Sequence, residues 1–274
     1  MLLVDAHVHI YDCFDLQAFF DAAYLNFKTN ADRFGHGDDF TGILLLAETV
    51  KDNWFHHLSC YAEGNDLPGR RETGPWKFNH TAEAESLCAR SGDNRKLVLI
   101  AGRQIVTAER LEVLALATTA TYNDGIRIKE LVESVRYNDG IPVIPWGFGK
   151  WVGKRGAVVK SLLSKDFDRI FFLGDNGGRP NFLSGPRVLK PTGKNRVQIL
   201  SGSDPLPFTS EYQRVGNFGS IILRKLSSQK PARDLKYLLL NSTESLEPYG
   251  CLENPIRFVL NQTKLNLRTV LKIT

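Results

Sequence analysis

Two histidines one residue apart, His7 and His9, stand near the start of the chain inside a strand-like run over residues 2–10. In a β-strand, side chains at i and i+2 share a face, with Cα atoms roughly 6.6 Å apart. Two imidazoles at that spacing can converge on one divalent ion through bonds of about 2 Å. Val8 and Ile10 then turn the other way, toward packing. Only six histidines occur in 274 residues, so such a pair is uncommon by chance. The competing reading is a strand whose histidines are hydrogen-bonded at the rim of a core.

An ion held with an open position lowers the pKa of bound water toward about 7, and the water then attacks if a base takes its proton. Carboxylates at strand ends are the groups to complete such a site. Glu48 follows the apolar run 42–47, Asp175 follows 171–174, and Asp204 closes the segment 200–204. Asp204 is the candidate for both ligand and base. Each has a plainer alternative: a turn residue in Ser-Asp-Pro for Asp204, a turn in Gly-Asp-Asn-Gly-Gly for Asp175, a helix cap for Glu48. His36, His56, His57 and His80 lie in early loops, where an imidazole is usually solvated.

A second constellation is basic. Residues 147–156 are rich in glycine and carry Lys150, Lys154 and Arg155 between a strand and a helix. Backbone N–H groups in such a loop, with a helix N-terminus behind them, can face an anion. Arg103 and Arg179, at predicted strand ends, can clamp a phosphate or carboxylate bidentately. The alternative is a solvated, flexible connection.

These groups need a scaffold, and the pattern predicts one. Strand-like runs at 2–10, 42–47, 96–106, 111–117, 141–146, 169–173 and 197–200 alternate with helical periodicity after Asp15, across 128–135 and over 158–163. Alternation of this kind predicts βα units, a mostly parallel sheet and, from the strand count, a (β/α) barrel in an α/β fold. Functional groups of a barrel lie at the C-terminal strand ends. Residues 51–95 read as a long loop excursion and 231–274 as a helical closure of one domain spanning 1–274. No GxGxxG follows a strand and no GxxxxGK[ST] occurs, so dinucleotide and P-loop readings lose their main support.

Composition narrows the partners. A net charge of +5 without any polybasic run favours an anionic small molecule over nucleic acid. No apolar run approaches the roughly 20 residues that span a bilayer, so no membrane is expected. The start of the chain lacks a basic leader, and four cysteines without CxxC spacing suggest reduced, mostly buried thiols in the cytoplasm. The Asn-x-Ser/Thr triplets at Asn79, Asn241 and Asn261 carry no meaning in that compartment.

The ordered segments Asp-Ala-His-Val-His (5–9), 100–118, Ile-Pro-Val-Ile-Pro-Trp (141–146) and Leu-Ser-Gly-Ser-Asp-Pro (200–205) resemble the motifs of the PHP family of metal-dependent hydrolases, close to the amidohydrolase-like barrels. The resemblance covers residues 1–10 and about 97–205. It implies a distorted (β/α)7-type, TIM-like barrel with up to three divalent ions (Zn, Mn or Fe) that hydrolyses phosphoesters. His7 and His9 match the opening HxH, and Asp204 matches the closing aspartate. Other ligand positions depart: Gln104 stands for a glutamate, Pro145 or Trp146 for a histidine, and Pro205 for another. All six histidines fall within the first 80 residues, so later strands supply no imidazole. The expectation is one ion, or two if Glu48 or Asp175 contributes. The expected function is a phosphoesterase-like hydrolase, with an amidohydrolase acting on a C–N or lactone bond, or an inactive ligand- or protein-binding barrel, as alternatives.

Overall fold

A computed structural model describes residues 1–65, 69, 71–147, 149–164, 171–183, 197–242 and 246–271. The strands are β1 (Leu2–Val8), β2 (Thr41–Leu46), β3 (Lys77–His80), β4 (Ser86–Arg90), β5 (Lys96–Ile100), β6 (Gly102–Val106), β7 (Glu112–Leu116), β8 (Ile141–Pro145), β9 (Phe172–Asn176), β10 (Ile199–Gly202), β11 (Phe218–Ile222) and β12 (Glu247–Gly250). The helices are α1 (Leu16–Arg33), α2 (Trp54–Ala62), α3 (Ile128–Tyr137), α4 (Lys154–Ser164), α5 (Pro231–Asn241) and α6 (Pro255–Leu271). No helix among the described residues is long and apolar enough to cross a membrane.

The expected barrel is not there. The strands form two mixed sheets, a seven-stranded one in the order β12-β11-β1-β2-β5-β4-β3 and a five-stranded one in the order β10-β9-β8-β7-β6. No closed barrel forms among the described residues; the architecture is an open α/β sheet fold. Parallel pairing holds for β1–β2, β2–β5, β8–β9 and β9–β10, while β3–β4–β5, β6–β7–β8 and β1–β11–β12 pair antiparallel. An apolar run reads the same in either orientation.

The run 96–106, expected as one strand, is divided at Ala101. Its first half, β5, belongs to one sheet and its second half, β6, to the other. Gly102 sits at the crossing, where an added Cβ would collide with the Leu46 carbonyl. The expected loop 51–95 contains α2 and the hairpin β3–β4, which extends the large sheet by two strands.

Three apolar layers hold the sheets. Leu2, Val4, Ile43, Leu45, Val98 and Ile100 meet Leu114, Leu116, Ile141, Val143 and Phe172 between the sheets. The outer face of the large sheet packs Leu3, Leu44, Leu46 and Leu99 against Phe19, Phe20, Ala23 and Phe27 of α1, whose N-terminus Asp15 caps by accepting the Ala18 N–H at 2.8 Å. Val113, Ala115, Ile144 and Leu173 pack against α3 and α4 on the other side. Of the four free cysteines, Cys60 and Cys88 are buried but Cys13 and Cys251 are exposed, so burial covers half rather than most.

The sheets touch at two seams. At one, the Asp204 N–H reaches the His7 carbonyl (2.9 Å) and the Ser201 N–H reaches Ser220 Oγ (2.9 Å). At the other, Glu48 and Arg103 form an isolated parallel bridge. The candidate chemistry lies along these seams.

Candidate metal centre

The strand β1 does not run straight to its histidines. Its register against β2 shifts between Asp5 and Val8. Before the shift Leu3 faces the α1 layer and Leu2 and Val4 face the inter-sheet layer; after it, Val8 and Ile10 join the α1 layer. A bulge of this kind re-aims side chains near functional sites. Here it frees His7 and His9 to point away from the helices. Asp5 anchors the turn from below, accepting N–H groups of Ser203 and Gly216 (both 2.8 Å) and of His7 (3.3 Å). Burial raises the Asp5 carboxyl to about 6, against those three donors.

Asp204 comes to the same point from the loop after β10. Its backbone φ is +47°, a left-handed conformation that Asp tolerates at some cost. Gly202 lets β10 approach, since a Cβ there would strike the His7 backbone. Three donor atoms result: His7 Nε2 and His9 Nε2 stand 3.1 Å apart, and Asp204 Oδ1 lies 3.6 and 3.5 Å from them. Gln104 Oε1 is a fourth, 3.0 Å from His7 Nε2. A tetrahedral ion with bonds near 2.1 Å separates its ligands by roughly 3.4 Å. The donor set fits. His7 Nε2 can offer one proton at most, yet three electron-rich atoms crowd it; a cation among them satisfies all four.

Electrostatics agree with a ligand role. Burial, then His7, lowers His9 to about 3, so its imidazole is neutral near pH 7, the form a metal requires. Burial works to raise Asp204, but the charges of His7 and Lys150 prevail and hold it down to about 2. Asp204 Oδ2 also accepts a hydrogen bond from Asn176 Nδ2. One oxygen faces the imidazoles and the other is taken, which suits an ionised ligand better than a proton acceptor. His9 Nδ1 is buried without a hydrogen-bond partner among the described residues, and the Tyr11 ring stacks on His9 at 5.4 Å.

The cluster opens into a cleft of about 250 Å³ lined by His9, Tyr11, Gln104, Lys150, Asn176, Arg179 and Asp204, with α6 as its far wall. Lys150 Nζ donates to Glu112 Oε2 at 2.5 Å. Burial opposes its charge, but Glu112 and Asp204 hold the ammonium above its ordinary value. Arg179 also reaches the cleft, locked bidentately to Asp175 (2.9 and 3.0 Å).

Other expected residues go elsewhere. Asp175 is spent on Arg179 and stands outside the metal-ligating group. Glu48 Oε1 accepts the Phe55 N–H at 2.7 Å and so caps α2, whose preceding Asn53 makes no side-chain cap. Burial raises its carboxyl. Glu48 and Arg103 line a separate cavity of about 430 Å³ with His56, Thr118 and Thr119. Lys154 is exposed, and Arg155 donates to the Gly149 carbonyl at 3.0 Å. The expected anion loop thus contributes Gly147 and Lys150 to the cleft, and Lys150 is its one charged side chain there among the described residues; Phe148 lies outside the described residues. His36, His56, His57 and His80 do not join the cluster. Asn176 and Tyr11 were not anticipated. Asn176 follows Asp175 by one residue, and alternation along β9 gives the inward position to the amide rather than to the acid.

No protein-family model and no curated protein matches the chain. Solved structures do. The fold is similar to that of PsfC from Pseudomonas syringae PB-5123, at 14% sequence identity and a TM-score of 0.50, covering 96% of this chain and 98% of that one. At this identity the likeness concerns architecture alone.

Proposed function

We propose that the protein is a cytosolic hydrolase that holds one divalent ion on His7, His9 and Asp204 and acts on a small anionic molecule, a phosphoester first. The convergence of three donor atoms from β1 and the β10 loop, all within 4.8 Å of one another and beside a cleft that presents Lys150 and Arg179, carries the reading. An ion of the Zn, Mn or Fe type supplies Lewis acidity and the means to make water nucleophilic at neutral pH. The chain's residues do the rest. Asp5 fixes the β1 bulge, Asn176 orients Asp204, and Gln104 holds the edge of His7. Lys150, aligned by Glu112, meets the negative charge of the substrate.

The protein purified without chelator is expected to carry about one equivalent of ion and to cleave phosphomonoesters; His7→Ala and His9→Ala should each lose both properties. Turnover confined to amides or lactones would move the protein to the C–N and lactone branch. A second reading, a non-catalytic ligand-binding protein, is favoured by Gln104, whose amide is a weak ligand where a carboxylate would strengthen the site. Stoichiometric metal with tight phosphoester binding but no turnover would support it.

A further inference from the structure

The cleft addresses more than one charge. Lys150 lines the cleft together with Asp204 and His9 of the metal-ligating group. Arg179 stands over the Trp146 ring, 6.0 Å from its centroid. Both cations line the same cleft. Their carboxylate partners, Glu112 and Asp175, do not, so each cation is held from behind.

The donor inventory of Arg179 shows what it can still do. A guanidinium has five N–H groups. Nε and Nη2 each give one to Asp175, and Nη1 gives one to the Leu183 carbonyl at 2.7 Å. Among the described residues, one N–H remains on each terminal nitrogen. Two donors in one plane, fixed by an ion pair and an indole, suit a planar anion taken bidentately. Arg214, the third cation of the wall, is matched by Glu253 and Glu211 and offers no comparable surplus. The cleft volume of about 250 Å³ falls below the range of roughly 300–1,000 Å³ for drug-sized ligands, so both anionic groups must belong to one small molecule.

We infer that the substrate carries two anionic groups, a phosphoryl group at Lys150 and the ion, and a carboxylate at Arg179 a few bonds away. This rests on the reading of the site given above and names its substrate class. Lys150 and the ligand cluster bind the reacting end; Arg179, Asp175 and Trp146 set specificity for the other.

The test compares 3-phosphoglycerate with glycerol 3-phosphate, which differ in the carboxylate, as purified metal-loaded protein binds them (Kd by calorimetry, or KM where turnover occurs). At least tenfold tighter binding of 3-phosphoglycerate is expected, and Arg179→Gln should bring the ratio to within about twofold. Arg179→Lys, which keeps the charge but loses the fork, covers the case in which the glutamine variant fails to fold and should reduce the ratio severalfold. A ratio near one in the wild type, or a ratio untouched in either folded variant, overturns the inference. The readout is selectivity of binding, so it holds for a protein that binds without hydrolysing; failure of the hydrolase reading would show as absent metal or absent turnover with the selectivity intact.

Discussion

Asp204 and Glu48 are both carboxylates just past a strand, and both sit at a seam between the sheets, yet the fold spends them differently. Glu48 is consumed by the first turn of α2, and Arg103 beside it faces a separate cavity. Asp204 gives one oxygen to Asn176 and turns the other to two imidazoles. The position at a strand end does not decide chemistry. What decides is whether nearby backbone N–H groups take the acid first. After β2 a helix starts within a few residues and needs a cap; after β10 the chain enters a proline-containing turn, and the backbone N–H of Asp204 is itself used by His7.

That contrast can be broken most directly by removing each charge. Asp204→Asn should weaken metal affinity by at least about 100-fold, since one of three charged or neutral ligands loses its charge. Glu48→Gln should leave metal affinity within about twofold; equal losses in the two variants would dissolve the distinction.

The pH response should separate the seams next. His9 has a folded pKa of about 3 against an ordinary 6.5, so the folded state binds fewer protons between those values. Stability from this group is present above pH 6.5 and lost as pH falls, by on the order of 4 kcal/mol in full. Asp5, raised from 3.8 to about 6, acts in the opposite sense: its contribution is present below 3.8 and lost as pH rises through 6. It offsets part of the His9 slope. Denaturant unfolding of the metal-free protein should show stability rising from pH 5 to 7, and His9→Gln should flatten or invert that rise. An unchanged slope would contradict a neutral, buried His9.

A smaller effect sharpens the metal side. Gln104→Glu places a carboxylate 3.0 Å from His7 Nε2 in place of an amide and should raise metal affinity about tenfold, measured by competition with a chromophoric chelator. The smallest effect is on the other seam. Glu48→Gln weakens the cap of α2 and should cost about 1 kcal/mol, a drop of roughly 2–4 °C in Tm.

The sequence made the candidate cluster legible because its members are chemically distinctive: an HxH on a strand and an aspartate at the end of a late apolar run. The architecture was less legible, for reasons that lie in particular residues. Residues 96–106 read as one continuous strand, and the steric demand at Gly102 marks where they divide between two sheets. Residues 77–80 and 86–90 pair with each other as a local hairpin inside a segment whose polar, Gly- and Pro-dotted composition reads as loop. The bulge between Asp5 and Val8 leaves no mark in the alternation, yet it aims both histidines. Asp175 and Asn176 differ by one residue in register, and in a strand one residue is the difference between faces. Lys150 was visible among three basic residues of its loop, but only Glu112, from a neighbouring strand, selects it.

Elemental analysis of protein purified without chelator addresses the central claim most directly, with His7→Ala and His9→Ala run in parallel under native conditions. About one equivalent of zinc, manganese or iron in the wild type, falling below a tenth in both folded variants, is the predicted result. A wild type without metal that also fails to take up any of the three ions on titration, or variants that retain it, would contradict the account.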